Sequence, residues 1–172
     1  MCGVWVALED IHPNSGTLEY VAGSHRWAIP SNMMMGRRGA DNFDEPSPQS
    51  AFEPMWRALV AASGTAPEAF VPRKGQALIW SANLLHGGGV RSERDHTRWS
   101  QVTHYYFDDC LYYTPAYSDE AVGRLHLRAM TDIGTGKRVP NLYLDEDFDP
   151  PKPAPKRRSA TARLRALVRR LA

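Results

Sequence analysis

Two apolar, strand-like runs divided by a glycine triplet restrict the fold of this chain more than any other feature. The first run is Ala77-Leu78-Ile79-Trp80-Ser81-Ala82-Asn83-Leu84-Leu85-His86, and Gly87, Gly88 and Gly89 break it. The second, Thr97 to Phe107, is rich in β-branched and aromatic residues. Such side chains fit a pleated, half-buried surface, and consecutive glycines are poor helix formers. The two runs therefore read as two successive strands with a loop between them.

Parity along the second run adds chemistry. Alternate side chains share a face in a strand, so Arg98, Ser100, Val102, His104 and Tyr106 point one way. Trp99, Gln101, Thr103, Tyr105 and Phe107 point the other. One face thus carries a guanidinium, a hydroxyl and an imidazole in file. Groups of this kind are costly to bury without partners. A carboxylate ligand is a natural partner for Arg98 with Ser100, because a guanidinium fork grips a carboxylate in a bidentate way and the hydroxyl adds a further hydrogen bond.

The remaining elements read as follows. Residues 4–8 form an apolar strand, and His12-Pro13-Asn14-Ser15-Gly16 is a turn cluster. Residues 17–22 alternate as a second strand, closed by Gly23-Ser24-His25. Residues 30–50 are a long loop of the kind that often serves as a lid. Ser50-x-x-Glu53 resembles a capping box, and Met55, Trp56, Leu59 and Val60 follow at helical spacing up to Gly64. A strand is expected over 77–86 and another over 97–107. A short helix is expected from Ser118 to about Met130, followed by loops to residue 150. Several short strands with glycine-rich turns and little helix suggest a β-sandwich or jelly roll.

Charge divides the chain. The formal net charge is only +2, yet every charged residue from Lys152 onward is basic. The body is therefore slightly acidic, and nucleic-acid binding is not expected of it. Four prolines between 150 and 155 form an extended linker. Residues 159–171 read as a basic amphipathic helix with Leu164, Leu167, Val168 and Leu171 on one face. Such a tail is usually a solvated end, and its charge also suits an anionic membrane or an acidic partner. The two cysteines, Cys2 and Cys110, form no CxxC pair, so neither a zinc ribbon nor a disulfide framework is suggested. With no signal peptide or bilayer-length apolar run visible, a cytoplasmic location is the expectation.

The two segments around His86 and Arg98 are similar to the end of the phytanoyl-CoA dioxygenase family domain. The N-terminal stretch agrees: Trp5-Val6-Ala7-Leu8-Glu9-Asp10, then Asn14-Ser15-Gly16-Thr17-Leu18, then Val21-Ala22-Gly23-Ser24-His25, in family order. The resemblance covers roughly residues 4–110 and is weakest over 30–70. It implies a double-stranded β-helix (jelly roll), mainly β with a few short helices. It also implies an iron(II)- and 2-oxoglutarate-dependent dioxygenase acting on a small organic or acyl substrate. His86 would be the distal iron ligand, Arg98 the clamp on the far carboxylate of 2-oxoglutarate and Ser100 its companion. Trp5 would lie near the cosubstrate, with plain core as an equal reading. His104 is either a core histidine or a group near the substrate. His12 and His25 receive no metal role: His12 reads as solvated in its turn, and His25 as a cap on the strand turn.

The chain departs from the family in one respect. The family's iron site needs a His-x-Asp pair together with the distal histidine, and no His-x-Asp or His-x-Glu occurs in this sequence. Two expectations follow. Either residues 1–149 are an N-terminally incomplete dioxygenase domain, with 31–70 as a lid and 150–172 as linker and tail, or the chain is a non-catalytic jelly-roll binding module. The first is preferred; the chain alone would then be inactive. A third reading places the function in the basic tail. Substrate identity and oligomeric state stay open.

Overall fold

The computed structural model describes residues 1–39, 49–108 and 110–148. The proline linker and basic tail lie outside them, as does most of the second half of the expected 30–50 loop. The described chain is mainly β, with one α-helix and several small antiparallel sheets.

Two three-stranded sheets position everything that follows. The first has the order β4-β1-β6, with β1 at Cys2–Ala7, β4 at Ala77–Ser81 and β6 at Ser100–Tyr105. Both neighbours run antiparallel to β1, and Trp5 sits opposite Leu78 on one side and Val102 on the other. The second sheet has the order β3-β2-β5, with β2 at Leu18–Tyr20, β3 at Glu68–Phe70 and β5 at His86–Gly88. Leu18 lies opposite Phe70 and Gly88, and Tyr20 lies opposite Glu68 and His86.

The core forms between the inner faces of these sheets. Trp5, Ala7 and Trp80 from the first sheet, Ile11 from the following turn and Leu18 from the second sheet are buried together, with Phe70, Leu78 and Leu84 against them. The even spacing of Gly3, Trp5 and Ala7 explains why β1 buries every second residue. Trp5 meets Phe70 edge-on with ring centroids 5.9 Å apart, a favoured aromatic geometry. Gly3 is required by Trp80: a Cβ at residue 3 would fall 2.6 Å from the indole ring.

Several sequence expectations need correction. The strand expected over 77–86 is two strands in different sheets. It breaks at Ala82–Leu85, where the Leu84 N–H donates to the Ser81 carbonyl and the Leu85 N–H to the Ser24 hydroxyl at 2.8 Å. An apolar run cannot reveal that its two halves pair with different partners. Ser24 is buried and anchors this turn, while His25 beside it is exposed. The strand expected over 97–107 is shorter, so Arg98 sits just before β6, in the connecting loop.

The helix α1 spans Gln49–Ser63, close to expectation, and buries Phe52. The helix expected over 118–130 is absent. Only a 3-10 turn at Glu120–Val122 forms, ended by Gly123 in the left-handed region. The Asp119 and Arg124 backbones bridge each other there, which takes the amides a helix would need. Residues expected to be loops form two small hairpins: β7 (Met130–Thr131) with β8 (Arg138–Val139), and β9 (Leu142–Tyr143) with β10 (Glu146–Asp147). No helix among the described residues is long and apolar enough to cross a membrane.

Candidate functional site

His86 opens β5 on its inner face, in step with Gly88, and Gly88 lies opposite Leu18 of the core. The imidazole rests on Trp80, with ring centroids 4.7 Å apart. Its Nδ1 lies 2.8 Å from the Leu84 carbonyl oxygen. A carbonyl has no proton to give, so a neutral His86 carries its proton on Nδ1 and presents the lone pair of Nε2 outward. The ring is exposed, so this nitrogen is reachable. A backbone acceptor on one ring nitrogen that leaves the other bare is the usual preparation of a metal-binding histidine.

Arg98 reaches the same face from the neighbouring loop. Its Nη1 donates to the Gly16 carbonyl, and it lies 3.2 Å from where a Cβ of Gly88 would stand. The guanidinium therefore covers Gly88, two residues along β5 from His86. At the rise of an extended strand this separates the two positions by roughly 6.6 Å. Gly88 matters here because it has no side chain to displace the guanidinium.

Ser100, Val102 and His104 pair with Ala7, Trp5 and Gly3 and so share the inner face of the first sheet, as parity predicts. They do not sit in the packed core, however. Ser100 is half-buried, Val102 is 41% exposed and His104 is exposed. The file lies on an open flank, which removes the cost of burying it unpaired. Trp5 is the opposite case: at 4% exposure it is a core residue with almost no surface for a ligand to touch.

Two shallow cavities flank these residues. One of about 470 Å³ is lined by Ser15, Gly16, Gly89, Arg91, His96 and Arg98, among others. The other, of about 430 Å³, is lined by Tyr20, His25, Leu78, Trp80 and Leu84, among others. Arg98 belongs to the first and the Trp80 support of His86 to the second. Neither of these two cavities is lined by His86, Arg98 and Ser100 together.

A further cluster escaped the sequence reading. His12 is half-buried and stacked on His96, with ring centroids 3.6 Å apart and 15° between planes. The His96 Nε2 lies 2.9 Å from a Glu93 carboxylate oxygen. Only the turn-to-loop contact unites residues that are more than eighty positions apart in sequence. The local Glu93-x-x-His96 spacing was the one available signal.

Small antiparallel sheets with a single helix define the described chain as a mainly β protein. The family model of phytanoyl-CoA dioxygenase (PhyH) matches residues 1–98, more than half of the chain, and the chain belongs to that family. No curated protein and no solved structure matches it. The matched segment ends on Arg98.

The family implies iron, and the donor set tests the fit. His86 has the right tautomer and access for one ligand. The facial triad needs two more, and among the described residues the only cluster of three metal-ligating side chains is His12, Glu93 and His96, which excludes His86. These residues alone therefore do not hold iron(II) at His86.

Proposed function

We propose that this chain supplies the distal iron ligand, His86, and the cosubstrate clamp, Arg98 with Ser100, of a 2-oxoglutarate-dependent dioxygenase with a jelly-roll domain. The reaction class is O₂-dependent hydroxylation of a small organic or acyl substrate, coupled to conversion of 2-oxoglutarate to succinate and CO₂. The other two iron ligands would come from a His-x-Asp pair that these 172 residues do not contain. The observation that carries this reading is the placement of the Arg98 guanidinium over Gly88, on the β5 face that also bears the Nε2 of His86. A dicarboxylate anchored at Arg98 would extend its other end along that face toward His86.

Each residue has a limited task. Arg98 binds the far carboxylate and holds it in register, and Ser100 adds one hydrogen bond. Trp80 backs the His86 ring, and Trp5 supports this arrangement from the core. His104, on the open flank, faces the substrate side.

The absence of His-x-Asp favours a second reading, a non-catalytic binding module that keeps the anion site. Two measurements separate them. Calorimetric titration of the 172-residue chain with 2-oxoglutarate should show binding that Arg98→Met weakens at least about tenfold, since a charge-assisted pair contributes about 1.5–3 kcal/mol; equal binding by the variant would remove the clamp. Succinate release with iron(II) is then measured for the longest natural product of the gene. Release that disappears in His86→Ala supports the enzyme. Silence with intact 2-oxoglutarate binding supports the module.

A further inference from the structure

We infer that His12, Glu93 and His96 form a second divalent-metal site, of zinc type, that staples the loop carrying Arg98 to the turn after β1. None of its three ligands is used in the dioxygenase reading, and metal binding here stands or falls without that reading; only its effect on Arg98 touches it.

The three side chains offer ligand atoms that all lie within 4.8 Å of one another. Two imidazoles and a carboxylate, with water in the fourth position, are a donor set that zinc accepts readily. Calcium and magnesium prefer all-oxygen sites, so the imidazoles select against them. The surroundings are built as well. Asn14 Nδ2 donates to the Glu93 Oε1 at 2.7 Å, which leaves Oε2 facing His96. The Asn14 carbonyl accepts the N–H groups of Ser92 and Glu93, and Ser15 bridges Arg91. Arg91 in turn donates through Nε to the Glu93 carbonyl and through Nη2 to the Arg94 carbonyl. The backbone of the 91–94 segment is thereby held against the 12–15 turn. Hydrogen bonds that orient a ligating carboxylate in this way are a usual accompaniment of metal sites.

Metal entry requires three local changes. The ring proton that His96 Nε2 donates to the Glu93 carboxylate moves to Nδ1, or His96 ligates through Nδ1 instead. The His12 and His96 rings are almost parallel, so one must turn about its Cβ–Cγ bond for both lone pairs to converge. The His12 Nδ1 accepts the Asn14 N–H at 3.2 Å. Ligation through Nδ1 displaces that donor. Ligation through Nε2 moves the ring proton onto Nδ1 and displaces it equally. The Asn14 amide is therefore a built-in reporter. Thr97 and Arg98 follow His96 directly, so a metal held here fixes the approach of the Arg98 guanidinium to β5.

The test is titration of the 172-residue chain with zinc(II) near neutral pH, in competition with a chromophoric chelator, while the Asn14 amide is followed by NMR. One equivalent should bind, with a shift of the Asn14 resonance. Glu93→Gln and His96→Gln should each weaken binding about tenfold or more. His86→Ala should leave it unchanged. All three side chains are at least partly exposed, so these variants should fold, which circular dichroism verifies. Lack of stoichiometric binding overturns the site. So does binding that survives both Glu93→Gln and His96→Gln, as zinc held by Cys2 or Cys110 would, and so does binding lost in His86→Ala.

Discussion

The guanidinium of Arg98 lies over Gly88, two residues from His86 on the same face of β5. The arrangement depends on an absent side chain. Gly88→Ala would place a methyl group 3.2 Å from the Arg98 Nη1. The end of a flexible side chain can yield by a few tenths of an ångström, so the fold should survive while the clamp moves off register. We expect 2-oxoglutarate affinity to fall several-fold in calorimetry, less than the loss in Arg98→Met, with an almost unchanged urea midpoint. Arg98→Lys should recover only part of the affinity, because an ammonium lacks the bidentate fork.

Gly3 and Trp80 form a tighter pair. Gly3→Ala would drive a Cβ to 2.6 Å from the indole, so the ring or β1 must shift. Overpacking of this kind costs about 1–3 kcal/mol. The expected result is a lower urea midpoint by tryptophan fluorescence. His86 should be disturbed too, visible as a changed imidazole resonance, because its ring lies tilted against Trp80.

Asn32 is completely buried, and its Nδ2 faces the carbonyl oxygens of Pro115, Ala116 and Ser118 at 2.9–3.1 Å. It ties the segment after β2 to the segment after β6. Asn32→Asp replaces the donor by an oxygen that faces acceptors only. Leaving buried polar groups unsatisfied costs about 1–3 kcal/mol, and more if the new group is charged. Thermal unfolding should shift downward, and the loss should shrink at acid pH, where the aspartate regains a proton to donate.

Tyr20 of β2 lies between Glu68 of β3 and His86 of β5. Its hydroxyl donates to the Glu68 carboxylate at 2.9 Å. That hydrogen bond, with lesser help from burial and the carboxylate charge, raises the phenol above its ordinary value. A raised folded-state value contributes stability that is fully present below the ordinary phenol value of about 10 and is lost as pH rises through the raised one. The Tyr20→Phe difference titration should therefore show a tyrosine that ionises above the free phenol, and Glu68→Gln should lower its midpoint.

The sequence by itself determined the presence of β1, the extent of α1 to within a residue or two, the shared face of Ser100, Val102 and His104, and the family. These features are local, or rest on the two-residue repeat of a strand, and each can be read from neighbouring residues. Tertiary structure alone decided which strands pair. The 77–86 run splits because Ser24, some sixty positions earlier, captures the Leu85 amide and sends His86 into the other sheet. It likewise decided that Trp5 is core while His104 is open to solvent, since burial depends on what the opposite face meets. His12 meets Glu93 and His96 only because the turn after β1 and the loop before β6 exchange backbone hydrogen bonds, a contact that residue spacing in the chain does not encode.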